Sequence, residues 1–234
     1  PECDFSEADG VICNGLFLYH NISEFKKLKF IQLTSAGLDR VPLDEIRNRN
    51  ITLFNARGVY SVPMAEFALT GVLSLYKHLS YCYENQKAHI WQKERNLREL
   101  CGETVAVVGC GSVGTECAKR FSAFGTKIIA VDIAKPENGV YSDFYDIKEI
   151  EKALEISDVV VLTVPLTSKT KGMFNEEMFS HFKDGSVLVN ISRGAVVNEK
   201  DLVKALESGI LSGAVLDVFE NEPLAENSGL WEKK

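Results

Sequence analysis

Long apolar runs are missing from this chain of 234 residues, and no stretch approaches the ~20 residues that a membrane-crossing helix needs. Long basic runs are missing too. Asp and Glu outnumber Lys and Arg by 33 to 26, giving a formal charge of −7, so a nucleic-acid or anionic-membrane surface is a poor fit. The six cysteines, at 3, 13, 82, 101, 110 and 117, form no C-x-x-C pair, and none sits beside a His at metal-ligand spacing. No metal site is expected, and the thiols read as structural core residues of a reducing compartment. Pro1-Glu2-Cys3-Asp4 does not resemble a signal peptide, so a cytoplasmic setting is the expectation. Repeats and low-complexity segments are also absent. What remains is 45% hydrophobic, far too apolar for a disordered chain.

Apolar bursts alternate with amphipathic stretches, the pattern of a parallel sheet with crossover helices. Early bursts are Gly10-Val11-Ile12-Cys13, Phe30-Ile31-Gln32-Leu33 and Ile51-Thr52-Leu53-Phe54, with helical spacing over Val41 to Arg49. A long helix is predicted over Met64 to Gln86, entered by Pro63, with Glu66 as an acid favouring the positive end of its dipole. Residues 87–101, polar around Trp91, read as an exposed connection. Buried strands then follow at Val105–Val108, Ile128–Val131, Val159–Leu162, Val187–Asn190 and Ala214–Asp217, with helices near 112–124, 147–155, 175–181 and 198–208. Two domains are expected, 1–75 and 76–234.

The strand at Val105–Val108 runs into Gly109-Cys110-Gly111-Ser112-Val113-Gly114, a G-x-G-x-x-G turn opening a helix. Gly109 permits the tight turn, Gly111 lets a pyrophosphate approach the backbone, and Gly114 lets the helix pack on the strand. The helix start offers N–H groups and partial positive charge to phosphate. The next strand ends at Asp132, placed to accept hydrogen bonds from an adenosine ribose and to repel the 2′-phosphate of NADP, although Lys135 lies close by. The expectation is a Rossmann doubly wound parallel sheet binding NAD. The turn alone leaves open a glycine turn without ligand, a methyltransferase or a flavin site.

Further chemistry clusters just past later strand ends, where open parallel sheets bind ligands. These segments are Thr163-Val164-Pro165-Leu166-Thr167 with Thr170, Asn190-Ile191-Ser192-Arg193-Gly194, and Leu216-Asp217-Val218-Phe219-Glu220-Asn221-Glu222-Pro223. With the Thr34-Ser35-Ala36-Gly37-Leu38-Asp39 loop and Val62-Pro63-Met64-Ala65-Glu66, they make the sequence resemble the D-isomer-specific 2-hydroxyacid dehydrogenase family over nearly the whole chain. The resemblance implies a smaller flavodoxin-like α/β substrate domain, incomplete here, beside the NAD domain.

It also implies roles. Arg193 would pair with the substrate carboxylate and polarise the 2-keto oxygen, as a planar guanidinium can. Glu222 would pair with a catalytic histidine, and Asp217 would hold the nicotinamide carboxamide. Ser112 and Val113 would contact pyrophosphate, with Pro165 and Thr170 on the adenosine side and Ile191 also at the cofactor. Backbone N–H groups of Ala36 and Gly37 would hold the substrate carboxylate. Against these stand plainer roles: a surface charge for Arg193, a turn cap for Glu222, a strand-end cap for Asp217, and a simple tight turn at Ala36 and Gly37.

Where the family places Pro-His, beyond Leu230-Trp231, this chain stops at Lys234. None of His20, His78, His89 and His181 lies in a matching segment. The expectation is a trimmed or partly ordered version of a longer NAD-dependent oxidoreductase for small D-2-hydroxy or 2-keto acids. A non-catalytic NAD(H)-sensing protein on the same fold is the alternative, with a member acting on formate behind it. The resemblance further implies a homodimer, with the arm around Trp91 as a contact.

Overall fold

Parallel strand pairing organises both parts of the chain in the computed structural model, which describes residues 4–233. The chain divides after Ser61 into two compact units. In the first, β1 (Gly10–Cys13), β2 (Phe30–Leu33) and β3 (Thr52–Phe54) pair in that order, all parallel. The helix α1 (Leu43–Asn48) makes the crossover between β2 and β3. Ile31 and Leu33 turn to a core with Ile22, Phe25 and Ile46, while Ile12 and Phe54 face outward, as the two-residue strand period dictates.

The long helical segment forms as two helices, α2 (Ser61–Tyr76) and α3 (Leu79–Lys87), broken where His78 adopts a left-handed conformation at φ 48°. Because α2 starts at Ser61, Glu66 lies beyond its first turn and pairs with Arg120 at 3.5 Å, which corrects the helix-entry role read from sequence. Ala65, Ala68, Val72 and Tyr76 are buried in the core of the second unit. A Cβ on Gly71 would lie 2.3 Å from Val215 Cγ1, so the helix packs tightly on that unit's sheet. These contacts put α2 with the second unit and the division at Ser61, earlier than the 75/76 boundary expected from sequence.

The second unit runs β4 (Thr104–Val108), α4 (Ser112–Ser122), β5 (Lys127–Asp132), β6 (Asp143–Asp146), α5 (Ile150–Leu154), β7 (Val159–Leu162), α6 (Glu176–Phe179), β8 (Ser186–Asn190), α7 (Glu199–Ser208) and β9 (Leu211–Leu216). The six strands are parallel in the order β6-β5-β4-β7-β8-β9, the doubly wound arrangement whose order reverses between β4 and β7. Val105, Val107, Val159 and Val161 pack on one face with α2 and α4, and Ala106, Val108, Val160 and Leu162 on the other with α5 and α7. Burial on both faces is why these strands read as unbroken apolar runs. The edge strand β6 carries Asp-Phe-Tyr-Asp and gave no such signal.

Cys117 is core-packed and Cys110 is half-buried, and burial pushes their thiols up to about 12 and about 11 respectively. Cys82 and Cys101 are exposed instead, a correction to the core role expected of the thiols; Cys3 lies outside the described residues.

The connection after α3 leaves Trp91 96% exposed, but its end is anchored. Arg98 stacks 4.2 Å from the Tyr76 ring, pairs with Glu103 at 3.0 Å, and donates to the Gly185 carbonyl at 2.7 Å. Tyr76 donates to Glu103 at 3.0 Å, and Lys77 donates to the Arg98 carbonyl at 2.6 Å. Replacing Arg98 would strand a partly buried acid and strip the stacking. Arg98→Ala is expected to lower the unfolding free energy by about 2 kcal/mol in urea titration, while Lys93→Ala in the exposed part changes it by less than about 0.5 kcal/mol.

Candidate functional site

At the carboxyl end of β4 the chain turns at Gly109, whose φ of 94° suits glycine and whose N–H donates to the Val131 carbonyl at 2.8 Å. A Cβ there would come within 2.9 Å of the Thr163 carbonyl carbon. Gly111 is the N-cap of α4, with nothing within 4 Å of its Cβ position, so open space lies over the turn. A Cβ on Gly114 would strike the Gly109 carbonyl at 2.1 Å. The three glycines thus do three different things: bend, leave room and permit close packing. An uncapped helix start under open space suits a pyrophosphate, with Ser112 and Val113 opening the helix beneath it. A dinucleotide held there would supply redox chemistry, with placement and charge coming from the protein.

Asp132 ends β5 beside the turn. Its Oδ2 accepts from the Cys110 N–H at 2.6 Å and its Oδ1 from the Ile133 N–H at 2.7 Å. A carboxylate has about four lone-pair sites, so this bracing leaves acceptor capacity for a ribose. Lys135 lines a cleft of about 350 Å³ with Asn138 and Tyr141 in the following loop. After β7, Thr170 Oγ1 donates to the Pro165 carbonyl at 2.7 Å, which holds those two predicted residues together.

The segments after β8 and β9 are interlocked. Asn190, fully buried, donates through Nδ2 to the Arg193 carbonyl at 3.1 Å, and its Oδ1 accepts from the Ser192 N–H at 3.1 Å and hydroxyl at 2.8 Å. Arg193 is half-buried, and its Nη1 donates to the Ser192 carbonyl at 2.8 Å. Ile191 places its side chain in the core, so only its main chain can meet a ligand. A Cβ on Gly194 would overlap the Phe219 carbonyl carbon at 1.8 Å, so the two loops touch where only glycine fits.

Across that contact the Asp217 N–H donates to the Asn190 carbonyl at 3.0 Å, and Glu222 Oε1 accepts from the Phe219 N–H at 3.2 Å. Glu199, at the start of α7, accepts from the Glu220 N–H at 2.7 Å. Arg193, Asp217 and Glu222 therefore stand at the ends of adjacent strands, in the same sheet edge as the glycine turn. Asn190, Ser192 and Glu199 hold them there. Sequence reasoning missed these three as supports, although Asn190 and Ser192 lay inside a motif it quoted.

In the first unit, Ala36 and Gly37 follow β2. Asn55 Nδ2 donates to the Ala36 carbonyl at 2.8 Å, and the Ser35 hydroxyl to the Gly37 carbonyl at 3.3 Å, so this loop is held by its own unit. His20, His78 and His181 sit 3.6–3.8 Å from Glu24, Glu94 and Glu155 respectively, and His89 is exposed on the turn after α3.

Residues 69–234 match the family model of the NAD binding domain of D-isomer specific 2-hydroxyacid dehydrogenases. Hydroxypyruvate reductase of Thermotoga maritima is 36% identical over 199 residues, which are 85% of this chain and 64% of that protein. The chain thus spans less than two thirds of that curated relative. A solved D-isomer specific 2-hydroxyacid dehydrogenase family protein from Aeromonas salmonicida superposes with a TM-score of 0.88 at 35% identity, over 98% of this chain and 73% of that one. D-lactate dehydrogenase from Aquifex aeolicus, solved with NAD and lactic acid, gives 0.85 at 29% identity, over 97% of this chain and 72% of that one.

Partial desolvation, and secondarily the Glu222 charge, hold the Asp217 carboxyl above its ordinary value of 3.8. The folded state thus prefers the protonated acid, and its contribution to stability is lost as pH rises through the raised pKa. Asp217→Asn is expected to stabilise the protein near pH 7 and to have no such effect near pH 3, where the acid is protonated folded or unfolded. Urea unfolding at the two pH values checks this.

Proposed function

The chain belongs to the D-isomer-specific 2-hydroxyacid dehydrogenase family, and from that membership we propose that it works in hydride transfer between NAD and C2 of a small D-2-hydroxy or 2-keto acid. The observation that carries the proposal is the interlock at Gly194 and Phe219, which joins the Arg193 and Glu222 segments at the sheet edge that bears the nucleotide turn. Arg193 is the proposed substrate residue, its guanidinium gripping the carboxylate and polarising the keto oxygen. Asp217 is assigned to the nicotinamide carboxamide, and Asp132 to the ribose hydroxyls, where its charge disfavours a 2′-phosphate.

Glu222 is the proposed partner of a proton-transferring histidine, whose imidazolium form it would stabilise. None of His20, His78, His89 and His181 is proposed for that role. The first unit is assigned to substrate binding through the Ala36 and Gly37 N–H groups, and the second to NAD. A reducing cytoplasmic setting suits the unpaired thiols packed at Cys110 and Cys117. A dimer is proposed through the arm that leaves Ile90 and Trp91 53% and 96% exposed, an apolar display that a partner would cover.

The test is full-length protein mixed with NADH and a panel of 2-keto acids, followed by nicotinamide absorbance. Turnover is expected with at least one acid; tight NADH binding without any turnover favours the sensor reading. Arg193→Ala is expected to cut turnover by about 10³-fold with NADH affinity nearly unchanged, and parallel loss of both refutes its role. Trp91→Asp is expected to lower the sedimenting mass from dimer to monomer in analytical ultracentrifugation.

A further inference from the structure

Thr163, the first residue after β7, faces the turn after β4 across the point where strand order reverses. Its N–H extends the parallel ladder by donating to the Val108 carbonyl at 2.8 Å. Its side chain goes further into the turn. Thr163 Oγ1 donates to the Gly109 carbonyl and lies 3.2 Å from the Val108 carbonyl. The hydroxyl, the Gly109 carbonyl and the Cα of Gly114 occupy one notch, since a Cβ on Gly114 would lie 2.9 Å from Thr163 Oγ1.

The peptide unit between Gly109 and Cys110 is thereby held at both ends. Thr163 holds its carbonyl, and Asp132 holds its N–H at 2.6 Å. A peptide is planar, so fixing its oxygen and its N–H together fixes its rotation about the chain. That rotation sets the direction of the N–H groups that follow at Gly111 and Ser112, which are the groups a pyrophosphate meets. With Asp132 alone the plane would have one tether and could swing about it.

We propose that Thr163 is a positioning residue for the cofactor pyrophosphate, acting through the Gly109 carbonyl. The assignment rests on dinucleotide binding by this turn and not on hydride transfer. It makes the effect of the hydroxyl selective by ligand. Losing it should weaken ligands that carry a pyrophosphate and leave the adenosine moiety bound as before.

The test uses the full chain as Thr163→Val, which keeps the shape and removes the hydroxyl, and Thr163→Ser, which keeps the hydroxyl. Affinity is read for NADH and ADP-ribose by titration calorimetry and for adenosine by saturation-transfer NMR. Thr163→Val is expected to weaken NADH and ADP-ribose about tenfold, the size of one net hydrogen bond, with adenosine unchanged and Thr163→Ser close to wild type. If Thr163→Val fails to fold, Thr163→Ala must give the same ranking of ligands. Equal loss for adenosine, no loss for ADP-ribose, or Thr163→Ser as weak as Thr163→Val overturns the proposal. Wild-type protein that binds NADH but turns over no acid leaves it standing and overturns the hydride-transfer reading alone; wild-type protein that binds no NADH overturns both.

Discussion

The pairing of β4 with β7 is the contact on which the second unit depends. Their register, Val105 with Val159 through Val108 with Leu162, brings the ends of two strands that run away from each other in sheet order to the same level. The crevice opened there is bordered by backbone from both, and it is why Gly109 lies against Thr163. Sheet burial supplies the rigidity, because Val107 and Val161 on one face and Val108 and Leu162 on the other are fully enclosed. Each buried methylene stabilises this arrangement by about 0.8 kcal/mol before cavity costs are counted. A turn on such a base holds its N–H groups still, and preorganisation of that sort is what anion recognition needs.

The same economy of parts operates on the other side of the crevice. Asn190 is the last residue of β8 and uses its amide on the two residues that precede and include Arg193. Its own carbonyl receives the Asp217 N–H, so one buried side chain and its backbone tie the segments after β8 and β9 together. A buried amide with its groups satisfied is rigid, whereas one left unpaired would cost about 1–3 kcal/mol. Glu199 does comparable work from the start of α7 on the Glu220 N–H. The strand ends therefore present charged side chains on a frame of fixed backbone.

Much of this was legible because the physics is local. Doubly buried strands must be apolar throughout, so β4, β5, β7 and β8 declared themselves as runs. Glycines that bend, clear or pack are forced by backbone geometry, so the turn from Gly109 to Gly114 could be read position by position. Arg193, Asp217 and Glu222 were visible as charges placed after strands in a recognisable pattern. What stayed hidden arises from distant partners. Arg98 means little until Tyr76, Glu103 and Gly185 surround it. The break at His78 carries no glycine or proline to mark it, and Glu199 looks like any first-turn acid until the Glu220 N–H arrives. Asn190 and Ser192 were seen only as letters of a motif, since hydrogen bonds among neighbours have no signature in composition.

The strand that sequence patterning overlooked has a further consequence. β6 closes one side of the six-stranded sheet, and an open sheet edge is a template on which another chain can add a strand. Here the edge is only four residues long and begins and ends in aspartate, with Asp143 exposed and 4.0 Å from Lys127. A strand docking there would have to desolvate those carboxylates and would find few groups to pair with. The polarity that concealed β6 from pattern reading also guards the sheet against self-association in solution.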